Sequence, residues 1–196
     1  MAEAKALMPL REALGDLVSL FRAERVPGVL IGGVAASFLG RPRFTRDIDA
    51  IVVLGEEGWG EFLSAAARFR FAPRRSDALA FAKQARVLLL RHEPSGIEVD
   101  VVFAGLPFEE EAIARAVWVE CEDIRLPLPT PEDLLIMKAV ANRPRDLADV
   151  EALLDCHRNL NVRRIRRWVR EFAAALDRPE ILSDLERALA RRRMKR

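Results

Sequence analysis

Val29-Leu30-Ile31-Gly32-Gly33-Val34-Ala35-Ala36-Ser37-Phe38-Leu39-Gly40-Arg41-Pro42-Arg43-Phe44-Thr45-Arg46-Asp47-Ile48-Asp49 decides the fold. Val29-Leu30-Ile31 is a short buried strand stopped by Gly32-Gly33, and Val34 to Leu39 is the helix it feeds. Gly40-Arg41-Pro42 breaks that helix, since proline offers no N–H to a helical turn and restricts the residue before it. Ile48 to Leu54 is then a β-branched strand closed by Gly55, with Asp47 and Asp49 at its mouth. Strand, glycine turn, helix, strand is the grammar of a sheet backed by helices.

Towards the carboxyl end, Trp59, Phe62, Leu63, Ala66 and Phe69 recur at helical spacing and predict a core-facing helix. Strands follow at Val87 to Leu90 and Ile97 to Phe103, with Pro94-Ser95-Gly96 as the turn between them. Glu109 to Ala116 reads as a short helix, and Val117 to Leu126 as one further strand returning to the sheet. Towards the amino end, Leu7, Leu10, Leu14, Leu17, Val18 and Phe21 form one helical stripe that Pro27-Gly28 ends.

From Pro127 the signal turns helical. Thr130-Pro131-Glu132-Asp133 combines an N-cap hydroxyl, a first-turn proline and a carboxylate. Pro144 opens a second helix, Ile165, Trp168, Val169 and Phe172 mark a third, and Ile181, Leu182, Leu185 and Leu189 a fourth. The expectation is an α/β (α+β) fold: a small mixed β-sheet flanked by helices over residues 1–126, then a helical segment over 127–196 ending in the basic tail Arg191 to Arg196.

At 196 residues, 51% apolar and 32% charged, the chain can bury one core or a core with an appendage. No apolar stretch approaches the ~20 residues of a membrane span. The amino end has no basic segment leading into an apolar run and cleavage site, so a cytoplasmic protein is expected. Cys121 and Cys156 are too few for a disulfide framework and read as two buried thiols; neither His92 nor His157 has a partner at ligand spacing. The net charge of +2 is unevenly spread. Residues 157–196 hold 13 Lys+Arg against 5 Asp+Glu, a balance of +8, and the remainder carries −6. That basic end would attract a polyanion, or it is the solvated fringe of an amphipathic helix.

Alternation along a strand puts Asp47 and Asp49 on one face and Ile48 on the other. Two close carboxylates repel unless a cation lies between them, so the pair suggests Mg²⁺ or Mn²⁺, although Asp-x-Asp alone also caps turns or faces solvent. Asp100, inside Ile97-Glu98-Val99-Asp100-Val101-Val102-Phe103, is an acid in an apolar strand and needs a counter-charge. If that strand lies beside the first, Asp47, Asp49 and Asp100 converge and can hold two cations, with Glu98 in reserve nearer solvent. Gly32-Gly33 at a helix start offers open backbone N–H groups to phosphate, although two adjacent glycines alone would also make a tight strand-to-helix turn. Arg41, Arg43 and Arg46 could neutralise phosphate oxygens, or form a solvated loop. Lys138 is the only charge between Leu134 and Ala141, so its ammonium must reach solvent or meet an anion.

Leu30 to Ala35, followed by Gly40 to Asp49, resembles the polymerase-β-like nucleotidyltransferase superfamily, most closely the minimal bacterial branch related to AbiE-type toxin nucleotidyltransferases. The resemblance implies that Gly32 and Gly33 bind an NTP, that Asp47, Asp49 and Asp100 hold two metal ions, and that Arg43 and Thr45 match the family's Arg-x-Thr lead-in. Pro129 to Lys138 and Arg145 to Asp149 are similar to later motifs of that branch, which implies nucleotide-binding or catalytic roles for Lys138 and the pair Asp146 and Asp149. Asp146 also suits a helix's first turn as a cap or salt bridge. Val34 departs from the pattern, standing where many relatives place a small hydroxyl residue. The implied activity is transfer of an NMP from an NTP to an acceptor hydroxyl with release of pyrophosphate. The acceptor expected is RNA, such as a tRNA 3′ end, with an antitoxin protein as partner. An aminoglycoside-type antibiotic nucleotidyltransferase and a catalytically inactive binding module of the same fold are the alternatives.

Overall fold

The computed structural model describes residues 2–194, and the side chains of 9–192 and 194. The chain divides into two compact units, Met1–Val34 with Phe44–Leu128, and Ala35–Arg43 with Pro129–Arg196. Among the described residues no helix is long and apolar enough to cross a membrane.

The first unit is built on a five-stranded mixed sheet. Its strands are β1 (Gly28–Leu30), β2 (Asp47–Val52), β3 (Phe71–Pro73), β4 (Val87–His92) and β5 (Glu98–Phe103), in the order β1-β2-β5-β4-β3. β2 and β5 are parallel, whereas the pairs β1/β2, β5/β4 and β4/β3 are antiparallel. Ile48, Ala50 and Val52 on β2 and Val99, Val101 and Phe103 on β5 are fully buried, as period-two alternation requires of one sheet face. The helices here are α1 (Ala2–Ala23), the start of α2 (Gly32–Leu39), α3 (Trp59–Arg68), α4 (Ala78–Ala85) and α5 (Pro107–Ala114). Leu14, Leu17, Val18 and Phe21 are the buried stripe of α1; the side chain of Leu7 lies outside the described residues. Trp59 of α3 stacks on Phe103 at 4.1 Å between centroids, and Phe62 meets the same ring edge-on, so these aromatics are core.

The structure corrects the sequence reading at several points. α2 begins at Gly32, two residues before the expected start. β3 and α4 were not expected. β3 is three residues long, too short for an alternation signal, and α4 buries only Ala78 and Ala82. The expected single strand from Val117 to Leu126 is a hairpin of β6 (Val117–Cys121) and β7 (Ile124–Leu128), forming its own two-stranded sheet. Glu122 at its tip has φ +53°, a left-handed turn that ends β6. Cys121 is half-buried and Cys156 exposed, because one flanks that tip and the other ends a surface helix.

The second unit comprises the rest of α2 with α6 (Pro131–Ala141), α7 (Pro144–Cys156), α8 (Val162–Ala175) and α9 (Glu180–Met194). Thr130 caps α6 by accepting from the Asp133 N–H at 3.2 Å. Leu134, Leu135, Ile136 and Ala139 are buried around most of α6, which explains a helix with no polar stripe. Fully buried Asp133 accepts from the Thr130 hydroxyl at 2.6 Å and from Arg164 at 2.7 Å, tying α6 to α8. Arg166 chelates Glu186, and Arg167 pairs with Glu171. Much of the basic character of residues 157–196 is therefore matched by carboxylates within this unit.

Candidate active site

The parallel pair β2/β5 sets the site's geometry. Its register places Asp47 opposite Glu98 and Asp49 opposite Asp100. Laterally adjacent residues of parallel strands share a face, about 4.8 Å apart between strands, so four carboxylates leave one face at the amino-terminal ends of both strands. This corrects the expected setting of Asp100. Its apolar neighbours Val99 and Val101 face the core, while its own side chain points the other way and is 42% exposed.

The backbone fits closely around Asp49. Gly32 has φ +61°, and a Cβ added there would stand 1.9 Å from Asp49 Oδ2, so only glycine leaves room for that carboxylate. The Ile31 N–H donates to the Asp49 carbonyl at 2.8 Å, fixing the strand mouth against the glycine turn. Gly33 is buried in the first turn of α2. Buried Thr45 donates its hydroxyl to Asp47 Oδ1 at 2.7 Å and so orients the first acid of the pair.

Arg74, just past β3, was missed by sequence reasoning. Its guanidinium reaches Glu98 at 2.5 Å and also pairs with Asp100. The Arg74 Nε–H is buried with no hydrogen-bond partner among the described residues. Burial pushes the Asp100 carboxyl above the usual range. Arg74 opposes that shift, and the neighbouring Glu98 and Asp47 charges reinforce it. Hard carboxylate oxygens on adjacent strands are the donor chemistry that Mg²⁺ or Mn²⁺ takes, and the guanidinium on Glu98 and Asp100 shows that this face draws in a cation. Among the described residues no three such groups stand close enough to enclose an ion.

A second cluster lies in the helical unit. Lys138 is 6% exposed, and its Nζ stands 3.0 Å from both Asp146 Oδ1 and Asp149 Oδ2. Its neighbours thus supply the anion that sequence reasoning required. Arg43 spans Asp149 through Nε at 3.3 Å and Nη2 at 3.2 Å, and its Nη1 is buried without a hydrogen-bond partner among the described residues. Arg143 donates to Asp146 at 2.5 Å. Burial alone would raise the Asp146 carboxyl, but hydrogen bonds from Arg143 and Lys138 outweigh it and hold the group below the usual carboxylate range. Arg41 pairs with Asp155, and exposed Arg46 lies over the Phe44 ring.

A family model described as nucleotidyl transferase AbiEii toxin, type IV toxin–antitoxin system, matches residues 14–196. The chain belongs to the AbiEii nucleotidyltransferase family. A search of curated proteins gave no significant match in sequence. Among solved structures, an antigenic nucleotidyltransferase-like protein from Paracoccidioides brasiliensis is similar at TM-score 0.57 and 15% identity, over 88% of this chain and 90% of that one. A lincomycin-bound lincosamide antibiotic adenylyltransferase is similar at TM-score 0.51 and 14% identity, over 72% of this chain and 94% of that one. These likenesses show a shared nucleotidyltransferase fold.

Within this AbiEii nucleotidyltransferase, the structure brings Gly32, Thr45, Asp47, Asp49, Glu98 and Asp100 together in the sheet unit, and Arg43, Lys138, Asp146 and Asp149 in the helical unit. Arg74 and Arg143 carry no periodicity or motif in the sequence. Only Pro144 behind Arg143 hinted that it stands at a helix start, where it can fold back on Asp146.

Proposed function

We propose that this AbiEii nucleotidyltransferase is a divalent-metal-dependent enzyme that transfers an NMP from an NTP to a hydroxyl of RNA, with tRNA as the favoured acceptor and a cognate antitoxin as its protein partner. The observation that carries the reading is the β2/β5 register, which lines up Asp47 and Asp49 with Glu98 and Asp100 beside a glycine turn. Two Mg²⁺ or Mn²⁺ ions, on drawing the Asp47, Asp49 and Asp100 carboxylates together around them, would acidify the acceptor hydroxyl and offset charge on the triphosphate. The hydroxyl oxygen attacks the α-phosphorus, the bond from that phosphorus to the bridging oxygen breaks, and pyrophosphate leaves. Asp100 takes the hydroxyl proton, being a carboxylate on the same sheet face as the Asp47 and Asp49 pair. The N–H groups opening α2 at Gly32 and Gly33 bind phosphate oxygens. Nucleotide binding is the role proposed for Arg43, Lys138 and Asp146 as well, with Asp146 and Asp149 fixing the ammonium.

The test is incubation with each α-labelled NTP, Mg²⁺ and total cellular RNA or protein. Label should move to RNA with the wild type and not with folded Asp49→Asn or Asp100→Asn. Label in RNA from either variant, or none from the wild type, refutes the reading.

A further inference from the structure

The sheet unit carries a second surface with a chemistry of its own. Trp118, on β6, is 47% exposed, an unusual position for an indole. Two guanidiniums lie over its ring, that of Arg22 from the end of α1 at 5.5 Å and that of Arg125 from β7 at 5.6 Å. Beside the indole is a cleft of about 260 Å³ whose walls include Val18, Phe21 and Pro127, with Arg22 and Arg25 at its edge. Arg25 is held there by a left-handed backbone, φ +53°, where the chain turns out of α1.

The surroundings of these arginines distinguish the surface. Elsewhere guanidiniums are mostly taken up by carboxylates: Arg11, Arg68, Arg70 and Arg74 in this unit all make ion pairs. Among the described residues no carboxylate oxygen lies within ion-pair distance of Arg22, Arg25 or Arg125, although Glu120 is the cross-strand neighbour of Arg125. An apolar slot walled by an indole and edged by Arg22 and Arg25, with Arg125 over that indole, complements one kind of ligand: a flat apolar ring joined to a phosphate. Each base of single-stranded RNA offers a π-face for stacking, and its backbone offers the anion. The cleft volume suits one nucleobase.

We infer that Trp118, with Arg22, Arg25 and Arg125, is a stacking site for an unpaired nucleotide of a single-stranded RNA. The site recognises the acceptor away from the carboxylates of β2 and β5. The inference rests on the RNA-acceptor reading above and assigns the residues that hold that acceptor.

The test uses the full chain, a fluorescein-labelled single-stranded oligoribonucleotide and fluorescence anisotropy across a salt series. Trp118→Ala should weaken binding by about fivefold or more, the range of losing one base–aromatic stack, and Trp118→Phe should restore most of it. Arg22→Gln with Arg125→Gln should lower the slope of log affinity against log salt by roughly 1.4, about 0.7 for each phosphate that the variant no longer neutralises on a single strand. NTP binding by calorimetry should be unchanged in all of these variants. Unchanged oligonucleotide affinity and salt slope in Trp118→Ala and the double Arg variant, with wild-type melting temperatures, overturns the inference while leaving RNA transfer standing. The same result accompanied by loss of a co-purifying protein identifies a protein-binding surface and also overturns it. A wild type that neither binds the oligonucleotide nor labels RNA, but labels a small molecule, removes the underlying reading instead.

Discussion

Gly32→Ala tests the architecture most directly. The new methyl would start 1.9 Å from Asp49 Oδ2, against ordinary contact of 3.4 Å or more, so the carboxylate must retreat by roughly 1.5 Å. The nearest clash is with the end of the Asp49 side chain, so the displacement falls first on the acid, while its Cβ at 3.0 Å passes a smaller part to the strand. A misplacement of about 1 Å at a reacting centre costs on the order of 10²-fold in rate. The backbone contributes separately: Gly32 has φ +61°, and holding an alanine in that region costs about 1–2 kcal/mol. For a chain of this size that is a fall in melting temperature of roughly 2–8 °C. The assay is transfer of label from an α-labelled NTP together with a thermal melt of the same preparation. Gly60→Ala is the control, because its Cβ meets only Leu79 Cδ1 at 3.9 Å and alanine favours the helix by up to about 1 kcal/mol. Full transfer by Gly32→Ala, or a rate loss equalled by Gly60→Ala, would refute the idea that the Gly32 backbone fixes Asp49.

Lys138→Ala should destabilise the protein by about 3 kcal/mol in urea unfolding. It leaves two buried carboxylates short of a counter-charge, although Arg43 and Arg143 still neutralise part of each. A surface-like change under about 0.5 kcal/mol would contradict the buried network. The lowered Asp146 carboxyl predicts a pH dependence of known sign. Its stabilisation is complete above the unfolded carboxylate pKa of about 4 and is lost as pH falls through the lower folded value, so wild-type stability should drop more steeply below about pH 4 than that of Asp146→Asn. Parallel acid melts would contradict it. Arg74→Gln removes the cation from Glu98 and Asp100, so Mg²⁺ should bind the NTP-free variant more tightly by calorimetry; weaker binding would mean that Arg74 organises these acids rather than competing for them.

Elements with strong local signals were legible in the sequence. The glycine turn, the Asp-x-Asp strand mouth and the Thr130-Pro131 helix start each declare themselves within a few residues, because turn, cap and alternation are short-range physics. β3, α4 and the β6/β7 hairpin were not legible. Three residues cannot show a period, Ala78 and Ala82 form too thin a stripe, and Glu122 is not a residue type that announces a left-handed turn. Lys138 stood out as a lone charge in an apolar helix, yet its partners Asp146 and Asp149 lie on the next helix, where only the fold of α6 against α7 brings them within 3.0 Å.

The sequence by itself determined the class of fold, the two acids of β2, the need of Asp100 for a counter-charge, and the family to which all of them belong. The tertiary structure decided what neutralises those charges. It put Arg74 on Glu98 and Asp100, absorbed much of the basic carboxyl end into pairs such as Arg166–Glu186, and left Arg22, Arg25 and Arg125 near Trp118 with no carboxylate partner among the described residues. Net charge is a sum along the chain, whereas neutralisation depends on distances of a few ångströms between residues far apart in sequence. A composition therefore shows how many cations a protein has, and only its folding shows which of them are free to meet a polyanion.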